Sequence, residues 1–254
     1  MQVTKSPSST DSNTLPLYAL VTGASRGIGA AVATALAKAG YNLYLCGHFH
    51  MEELDALAVS LSEKHEILCR TFSCDLSDVK NIENLFREIR LLNLVVNNAA
   101  IDDHTPFADT DDRAFEKLMQ TNFSSVYAVC KQSLPLLLAA GEGRIINMSS
   151  VFGKTGASNE SIYAASKGAV NALTKSLAKE LAPSHIAVNA IAPGVIDTDM
   201  NRLSLTDEEL QELCERIPAG RMGTPEEIAD IVFLLAKAPL YLTGQIITVD
   251  GGLT

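Results

Sequence analysis

The chain is predicted to fold as a doubly wound α/β domain around one parallel sheet, and three observations carry the prediction. Short apolar runs alternate with longer amphipathic segments along most of the sequence, which is typical of strand–helix units. The runs are apolar throughout, as strands covered on both faces require. With 47% hydrophobic residues, only 6% aromatic residues and no tryptophan, the composition favours aliphatic sheet-and-helix layers.

The apolar runs predict strands, and the amphipathic segments between them predict helices. The predicted strands are residues 18–22, 42–46, 67–73, 94–97, 144–148, 187–192 and 245–249. The predicted helices are residues 27–39, 51–64, 78–89, 112–140, 162–181 and 225–236. The last helix has the clearest start, because Thr224, Pro225 and Glu227 form a capping box with proline at the first helical position.

Two segments depart from this alternation. Residues 1–14 are polar and rich in serine and threonine, which predicts a disordered tail before a single domain at residues 15–254. Residues 195–217 follow a strand but carry the polar, acidic stretch 204–215 before the next clear helix. Because long excursions from a compact fold are often lids or binding loops, we expect this segment to line the substrate pocket.

Charge and cysteine content restrict the possible partners. A formal net charge of −10 with no run of lysine or arginine disfavours nucleic acid and membrane surfaces as partners. No stretch is apolar and long enough for a bilayer span or a signal peptide, so we expect a cytoplasmic protein. The cysteines form no CxxC pair and no zinc spacing, which predicts buried free thiols and no metal site. They are Cys46, Cys69, Cys74, Cys130 and Cys214.

A glycine-rich turn follows the first predicted strand and opens the first predicted helix. Residues 22–29 read TGASRGIG, with glycines at Gly23, Gly27 and Gly29. Glycines leave no Cβ between the backbone and a pyrophosphate, and a helix amino terminus offers free N–H groups to phosphate. In a parallel α/β sheet, ligands bind at the carboxyl ends of the strands, where this turn lies. The turn therefore predicts a dinucleotide site.

The spacing TGxxxGIG resembles the short-chain dehydrogenase/reductase family, and other motifs extend the resemblance over residues 18–252. They are DL at 75–76, NNAA at 97–100, with Ala100 where the family usually has glycine, and PG at 193–194 with Thr198 beyond it. The resemblance implies a Rossmann-like fold of about seven parallel strands with helices on both faces, and a nicotinamide dinucleotide cofactor. The implied cofactor-binding residues are Gly23, Ser25, Arg26, Gly27, Ile28, Gly29, His48, Asp75, Leu76, Asn98, Ala99, Tyr163, Lys167, Pro193, Gly194, Ile196 and Thr198.

The end of the second strand indicates which dinucleotide is preferred. NAD-preferring members of such folds place an acid there to accept from the ribose 2′-OH, whereas this chain has Cys46, Gly47 and His48. Arg26 in the glycine loop and His48 are candidate partners for a 2′-phosphate, although His48 is equally interpreted as a solvated surface residue. The sequence therefore favours NADP(H) over NAD(H).

Four residues match the catalytic set of the resembled family. Tyr163 and Lys167 lie four residues apart on a predicted helix and share one face. Ser150 lies just beyond the fifth strand, at the ligand-binding edge, and Asn122 follows Thr121 in the long helical segment. The resemblance implies that Ser150 holds the substrate oxygen, Tyr163 exchanges the proton and Asn122 positions a water in a proton relay through Lys167. A neighbouring ammonium is also expected to lower the tyrosine pKa.

Asn122 has a second interpretation that the sequence leaves open, because an asparagine inside a long helix can instead bond the backbone at a kink. Both roles are compatible with one residue.

The substrate is less determined than the chemistry. The chain most resembles 3-oxoacyl-(acyl carrier protein) reductases, on residues 196–200, 218–221, 242–245 and 249–252, which favours reduction of a 3-oxoacyl thioester. Where carrier-docking members offer basic residues, this chain has Gly141 and Ser184, with Arg144 and Lys179 nearby. A sugar, polyol, steroid or xenobiotic carbonyl remains an alternative, and so does an inactive cofactor sensor on the same fold. Relatives imply a homotetramer.

Overall fold

The computed structural model describes residues 16–202 and 206–254, apart from the side chains of residues 200 and 207. Over these residues the chain forms one seven-stranded sheet in the order β3-β2-β1-β4-β5-β6-β7, with every paired strand parallel. The strands are β1 Tyr18–Thr22, β2 Asn42–Gly47, β3 Cys69–Ser73, β4 Leu94–Asn97, β5 Gly143–Met148, β6 Ile186–Pro193 and β7 Ile246–Val249. The predicted seven-stranded, doubly wound sheet is confirmed, whereas the predicted tail at residues 1–14 lies outside the described residues.

Helices cover both faces of the sheet. They are α1 Gly27–Lys38, α2 Met51–His65, α3 Val79–Glu88, α4 Asp112–Met119, α5 Ser125–Ala139, α6 Phe152–Thr155, α7 Ser161–Leu181, α8 Asp199–Arg202, α9 Asp207–Arg216 and α10 Pro225–Lys237. One core packs α1, α2 and α10 against one face, and a second packs α3, α5 and α7 against the other. The inner strands β2, β4 and β6 are buried along their whole length, while the edge strands β3 and β7 are partly exposed.

The long helical segment predicted at residues 112–140 is interrupted. A π-helical turn at Gln120–Ser124 separates α4 from α5, and Asn122 lies inside that turn. Such π turns widen the helix locally and are frequent at functional sites. The helical period alone does not reveal the turn, because the flanking helices keep their apolar faces toward the core.

Residues 195–217, predicted as a lid or binding loop, contain two short helices in their described part, α8 and α9. Helix α9 begins with a second capping box, in which Thr206 and Glu209 bond reciprocally. The pattern T-x-x-E at these positions is the signal that could have predicted this helix.

The prediction that all five cysteines are buried is wrong for two of them. Cys46, Cys74 and Cys130 are buried free thiols, but Cys69 and Cys214 are half-buried. Cys69 lies on the edge strand β3, where it packs against the first core but stays partly accessible, and Cys214 lies on helix α9, most of which is exposed. Among the described residues, no helix is long and apolar enough to cross a membrane.

Candidate active site

One large pocket opens at the carboxyl edge of the sheet, where the strand order reverses between β1 and β4. This is the position where parallel α/β sheets bind ligands, because loops from neighbouring strands diverge there. The pocket is lined by the glycine loop, by the segments after β2, β3, β4, β5 and β6, and by the start of α7. Every predicted cofactor residue except Gly29 lines it.

The glycine loop has the backbone that a dinucleotide requires. Gly23 has a φ of +63°, and a Cβ there would stand 2.8 Å from the Cα of Ala99. A Cβ on Gly29 would collide with the carbonyl oxygen of Gly23. Gly29 therefore does not face the pocket: it lets α1 pack against the turn that follows β1. These close approaches leave the turn open for a phosphate at the amino terminus of α1.

The NNAA segment is fastened to the glycine loop by a set of hydrogen bonds. The Thr22 hydroxyl accepts from the backbone N–H groups of Asn98 and Ala99 at 3.0 and 3.1 Å. The Asn98 side-chain amide donates to the carbonyl oxygens of Thr22 and Gly23, both at 3.1 Å. Thr22 is a positioning residue that the sequence analysis missed, since its hydroxyl joins two loops distant in sequence.

The adenine end of the pocket lies beyond β2 and β3. The Asp75 carboxylate accepts from the Ser77 N–H at 2.9 Å and from its hydroxyl at 2.7 Å, which lowers the Asp75 pKa. His48 packs edge-on against Phe49, with ring centroids 4.2 Å apart. Arg26 lies 3.2 Å from Asp199 at the start of α8, in an exposed ion pair. The glycine loop thus contacts the segment 195–217 directly.

The segment after β6 forms another wall of the pocket. Gly194 fits only because it lacks a side chain, since a Cβ there would stand 2.7 Å from the Cβ of Asp250. Ile196 bridges to Gly223 in a short parallel pairing, which holds the chain before α8. Thr198 packs over Gly27, where an added Cβ would lie 3.3 Å from its methyl group. Pro193, Gly194, Ile196 and Thr198 therefore form one continuous wall of the pocket.

Ser150, Tyr163 and Lys167 meet in the same pocket, as predicted from their spacing. The Ser150 hydroxyl accepts from the Phe152 N–H at 3.1 Å, which holds the side chain at the end of β5. Burial raises the pKa of Tyr163 far above its ordinary value, and the Asp102 and Glu160 charges add to this, while a hydrogen bond with Ser150 opposes it. The expected lowering of this pKa by the lysine is therefore not observed.

The physical reason lies in the position of Lys167. Its ammonium is buried, donates to the Met148 carbonyl oxygen at 3.0 Å and lies 5.5 Å from the centroid of the Tyr163 ring. Burial lowers the Lys167 pKa to about 8, although the Asp102 charge acts against the change. A lysine bonded to a carbonyl at this distance does not offset the desolvation of the phenol.

Asn122 is fully buried and does not line the pocket. Its carbonyl oxygen accepts from the Ile101 N–H and its amide donates to the Ile101 carbonyl oxygen, both at 2.8 Å. The amide also reaches the Ser166 hydroxyl on α7 at 3.4 Å. The interpretation of Asn122 as a backbone-bonding residue at a helix irregularity is thus confirmed: the π turn clamps the loop after β4.

Comparisons with known proteins agree with this geometry. A family model described as enoyl-(acyl carrier protein) reductase matches residues 23–254. The 3-oxoacyl-[acyl-carrier-protein] reductase FabG of Aquifex aeolicus is 38% identical, over 92% of this chain and 96% of its own. The chain belongs to the short-chain dehydrogenase/reductase family.

Solved structures of similar proteins include nicotinamide dinucleotide complexes. Actinorhodin polyketide ketoreductase with NADPH is 33% identical, with a TM-score of 0.87 over 94% of this chain and 97% of its own. A candidate gluconate 5-dehydrogenase of Beutenbergia cavernae with bound NADP is 33% identical, with a TM-score of 0.88 over 93% and 96% of the two chains. As a short-chain dehydrogenase/reductase, the present protein is an NAD(P)-dependent oxidoreductase.

The pocket of this short-chain dehydrogenase/reductase is also lined by three ionisable residues that the sequence analysis missed. His104 Nε2 lies 3.3 Å from the Asp102 carboxylate, and His104 Nδ1 lies 3.5 Å from the Glu160 carboxylate. Burial and the neighbouring Asp102 charge raise the Glu160 pKa to about 7, with His104 acting in the opposite direction. Asp102 and His104 lie just after the NNAA segment, and Glu160 occupies the N-cap position of α7 without a side-chain cap hydrogen bond. Their positions after β4 and before Tyr163 were the available signal.

Proposed function

We propose that this enzyme reduces a substrate carbonyl to a hydroxyl with NADPH, and that Tyr163 donates the proton. The observation that carries the proposal is the meeting of Ser150, Tyr163 and Lys167 in the pocket that the glycine loop also lines. A tyrosine phenol is protonated at neutral pH without any shift, so Tyr163 can donate the proton in the reduction direction, while burial raises its pKa and makes it a weaker acid. Ser150 is positioned to bond the same substrate oxygen.

The pocket residues fit a dinucleotide. Because Gly23 and Gly194 have no Cβ, bare backbone lines the pocket at both ends. The amino terminus of α1 faces the expected pyrophosphate, and Lys167 lies beside Tyr163 on the nicotinamide side. When bound, the dinucleotide supplies the hydride. The residues of this chain hold the carbonyl oxygen, exclude water and provide the proton.

We further propose a preference for NADPH. The end of β2 has no acid that would repel a 2′-phosphate, and Arg26 and His48 line the adjacent part of the pocket. The neighbour solved with NADPH is similar over nearly its whole length, which supports the same preference here. For the return of the proton, we propose that the Asn122 clamp and Lys167 border a water path to Tyr163.

A 3-oxoacyl thioester is the first substrate to test, because two relatives 38% identical to this chain are named 3-oxoacyl-[acyl-carrier-protein] reductases. A carrier-bound form is disfavoured. The positions that match basic docking residues are Gly141 and Ser184, and neither carries a charge. Arg144 is engaged, since it donates to the Ala238 carbonyl oxygen at 3.1 Å and pairs with Glu142 at 3.5 Å. Of these four residues, Lys179 is the one that offers an exposed positive charge, and its ammonium forms no ion pair or hydrogen bond within the described part of the chain.

A homotetramer in the cytoplasm is the proposed working state. Exposed aromatic side chains on and near α4 and α5, together with Tyr241 before β7, leave apolar surface for partner copies. Free thiols fit a reducing compartment. Light scattering of the purified chain tests the assembly.

The experiment for the function is NADPH oxidation with a short 3-oxoacyl thioester, with the product examined for a new hydroxyl. Using NADPH deuterated at the transferring carbon, we expect deuterium at the carbinol carbon of the product. NADPH consumption without a deuterated alcohol would contradict carbonyl reduction. If the thioester is not reduced but another ketone is, only the proposed identity of the substrate is contradicted.

A further inference from the structure

The pocket contains ionisable groups that the proposed proton transfer does not use. Asp102 follows β4, Glu160 occupies the N-cap position of α7, and the His104 ring lies between their carboxylates. The Asp102 and Glu160 side chains are each only 12% exposed, whereas His104 is 43% exposed. All of them line the pocket that contains Tyr163. Two nearly buried carboxylates therefore face the substrate space with one half-exposed imidazole as their shared partner.

Positive charge reaches these carboxylates from the His104 ring when it is protonated and, at longer range, from the Lys167 ammonium acting on Asp102. Even with a protonated imidazole the cluster carries a negative charge, and buried carboxylates without a full partner are costly. The raised Glu160 pKa expresses that deficit, because burial and Asp102 outweigh the effect of His104. Asp102 and Glu160 also raise the pKa of Tyr163, so the deficit extends to the catalytic phenol. A cation held at the two carboxylates would relieve both effects.

We propose that Asp102 and Glu160 bind a positively charged nitrogen carried by the carbonyl substrate, so that the pocket selects cationic ketones. The inference rests on the proposed function, since it assigns a substrate class to the same pocket. An uncharged acyl chain or a polyol gives these carboxylates no opposite charge. A positively charged nitrogen on the substrate supplies that opposite charge while the substrate carbonyl reaches Ser150 and Tyr163 in the same pocket.

The geometry favours an ammonium over a metal ion. Each His104 ring nitrogen faces a different carboxylate, Nε2 toward Asp102 and Nδ1 toward Glu160. One ligand atom from each of Asp102, His104 and Glu160 lies within 4.8 Å of the others, so a divalent ion could compete for this site if a ring nitrogen left its carboxylate. An ammonium needs only the carboxylate oxygens, and His104 is exposed enough to turn toward solvent. A metal ion is therefore treated as an outcome of the test.

The test uses two ketones of the same shape and different charge. The quaternary N,N-dimethyl-4-oxopiperidinium ion is permanently cationic, and 4,4-dimethylcyclohexanone is its uncharged carbon analogue. Their dissociation constants are measured by calorimetry in the dead-end complex with NADP⁺, which requires no turnover. We expect the cationic ketone to bind about tenfold more tightly or better, because the Coulombic attraction between its nitrogen and a nearly buried carboxylate is only weakly screened by water. Equal binding, or tighter binding of the uncharged ketone, would overturn the inference.

Variants of single carboxylates show which side chains cause the difference between the two dissociation constants. In Glu160→Gln and Asp102→Asn, the ratio of the two dissociation constants should fall toward one. In Glu83→Gln, which removes one exposed carboxylate on α3 outside the pocket, the ratio should remain as in the wild type. A ratio that persists in both pocket variants would contradict the assignment. Thermal melts establish that each variant is folded, and the wild-type ratio alone remains decisive if one is not.

Two further outcomes separate this inference from its foundation. If Zn²⁺ binds once per chain, is lost in Glu160→Gln and ketone charge has no effect, the cluster is a metal site and the inference fails. If neither ketone nor a thioester oxidises NADPH, the proposed function fails, while the ratio of dissociation constants still decides the charge preference. If thioesters turn over and the wild-type ratio is one, only the charge preference fails.

Discussion

The pocket has two halves, the proposed cofactor half and the proposed substrate half, and they differ in whether backbone or charged side chains line them. The cofactor half is made largely of backbone: Gly23 and Gly194 bring bare main chain to the ligand, and Thr22 fastens the NNAA segment to the glycine loop. The substrate half is made of charged side chains from segments distant in sequence, namely Asp102, His104 and Glu160. A backbone-built site tolerates little change, whereas a side-chain-built site can change its ligand by a few substitutions.

The largest expected effect tests the rigidity of the cofactor half. Gly29→Ala places a Cβ against the Gly23 carbonyl oxygen, so α1 must move away from the turn. We expect a loss of about 2 kcal/mol or more in the free energy of unfolding, as overpacking against backbone predicts, with NADPH affinity reduced at least about tenfold. Urea unfolding and NADPH fluorescence titration measure the two effects.

Gly168→Ala is the matched control for that substitution. Gly168 lies in helix α7, and a Cβ there meets nothing closer than the Gly153 carbonyl oxygen at 3.5 Å, an ordinary contact. Because alanine is a better helix former than glycine, stability should be unchanged or rise by up to about 1 kcal/mol. Equal behaviour of the two variants would contradict the description of the glycine loop.

The second effect concerns the charge deficit of the substrate half. The Glu160 pKa is about 7 in the folded chain, above the ordinary value of 4.5, with Asp102, His104, Tyr163 and Lys167 around it. Between these pH values the folded state binds more protons than the unfolded state, so the Glu160 contribution to stability falls as pH rises from about 4.5 to 7.

Glu160→Gln should therefore be stabilising relative to the wild type at pH 8 but not at pH 4.5, on the order of 1 to 3 kcal/mol. Urea unfolding across this pH range measures the difference. Asp109→Asn, on an exposed helical turn outside the pocket, is the control and should show no comparable pH dependence. A stability difference that does not change with pH would show that Glu160 is not electrostatically destabilised.

The smallest expected effect concerns the preference for NADPH over NADH. Arg26→Ala removes a positive charge beside the expected 2′-phosphate, and His48→Asp adds an acceptor for a ribose 2′-OH. We expect the ratio of kcat/KM for NADPH over NADH to fall about tenfold in each variant, since one charge-assisted contact contributes 1 to 3 kcal/mol. A wild-type preference for NADH, or an unchanged ratio in both variants, would contradict the assigned phosphate contacts.

The fold and the cofactor half could be predicted because their signals are local. Apolar runs give the buried strands, and the glycine loop combines its motif with a strand before it and a helix after it. The meeting of Ser150, Tyr163 and Lys167, the proposed catalytic residues, could also be predicted, since their spacing places them at one sheet edge.

The rest of the site depends on contacts that only the folded chain creates. The contacts of His104 join a loop after β4 to the cap of α7, and the hydrogen bonds of Asn122 to Ile101 depend on a π turn. The predicted lowering of the Tyr163 pKa was wrong, because burial raises this pKa and the neighbouring lysine does not offset the rise, and the sequence does not show the burial.

The central claim is that Tyr163 supplies the proton in a pocket whose cofactor half is complete without it. The most direct measurement compares Tyr163→Phe with Tyr241→Phe, which alters a fully exposed tyrosine. Each variant is assayed for NADPH affinity and for kcat with a ketone or thioester that the wild type reduces. The account predicts NADPH binding close to that of the wild type in both, and a loss of kcat of about 100-fold or more only in Tyr163→Phe. Near-normal kcat in Tyr163→Phe would contradict it.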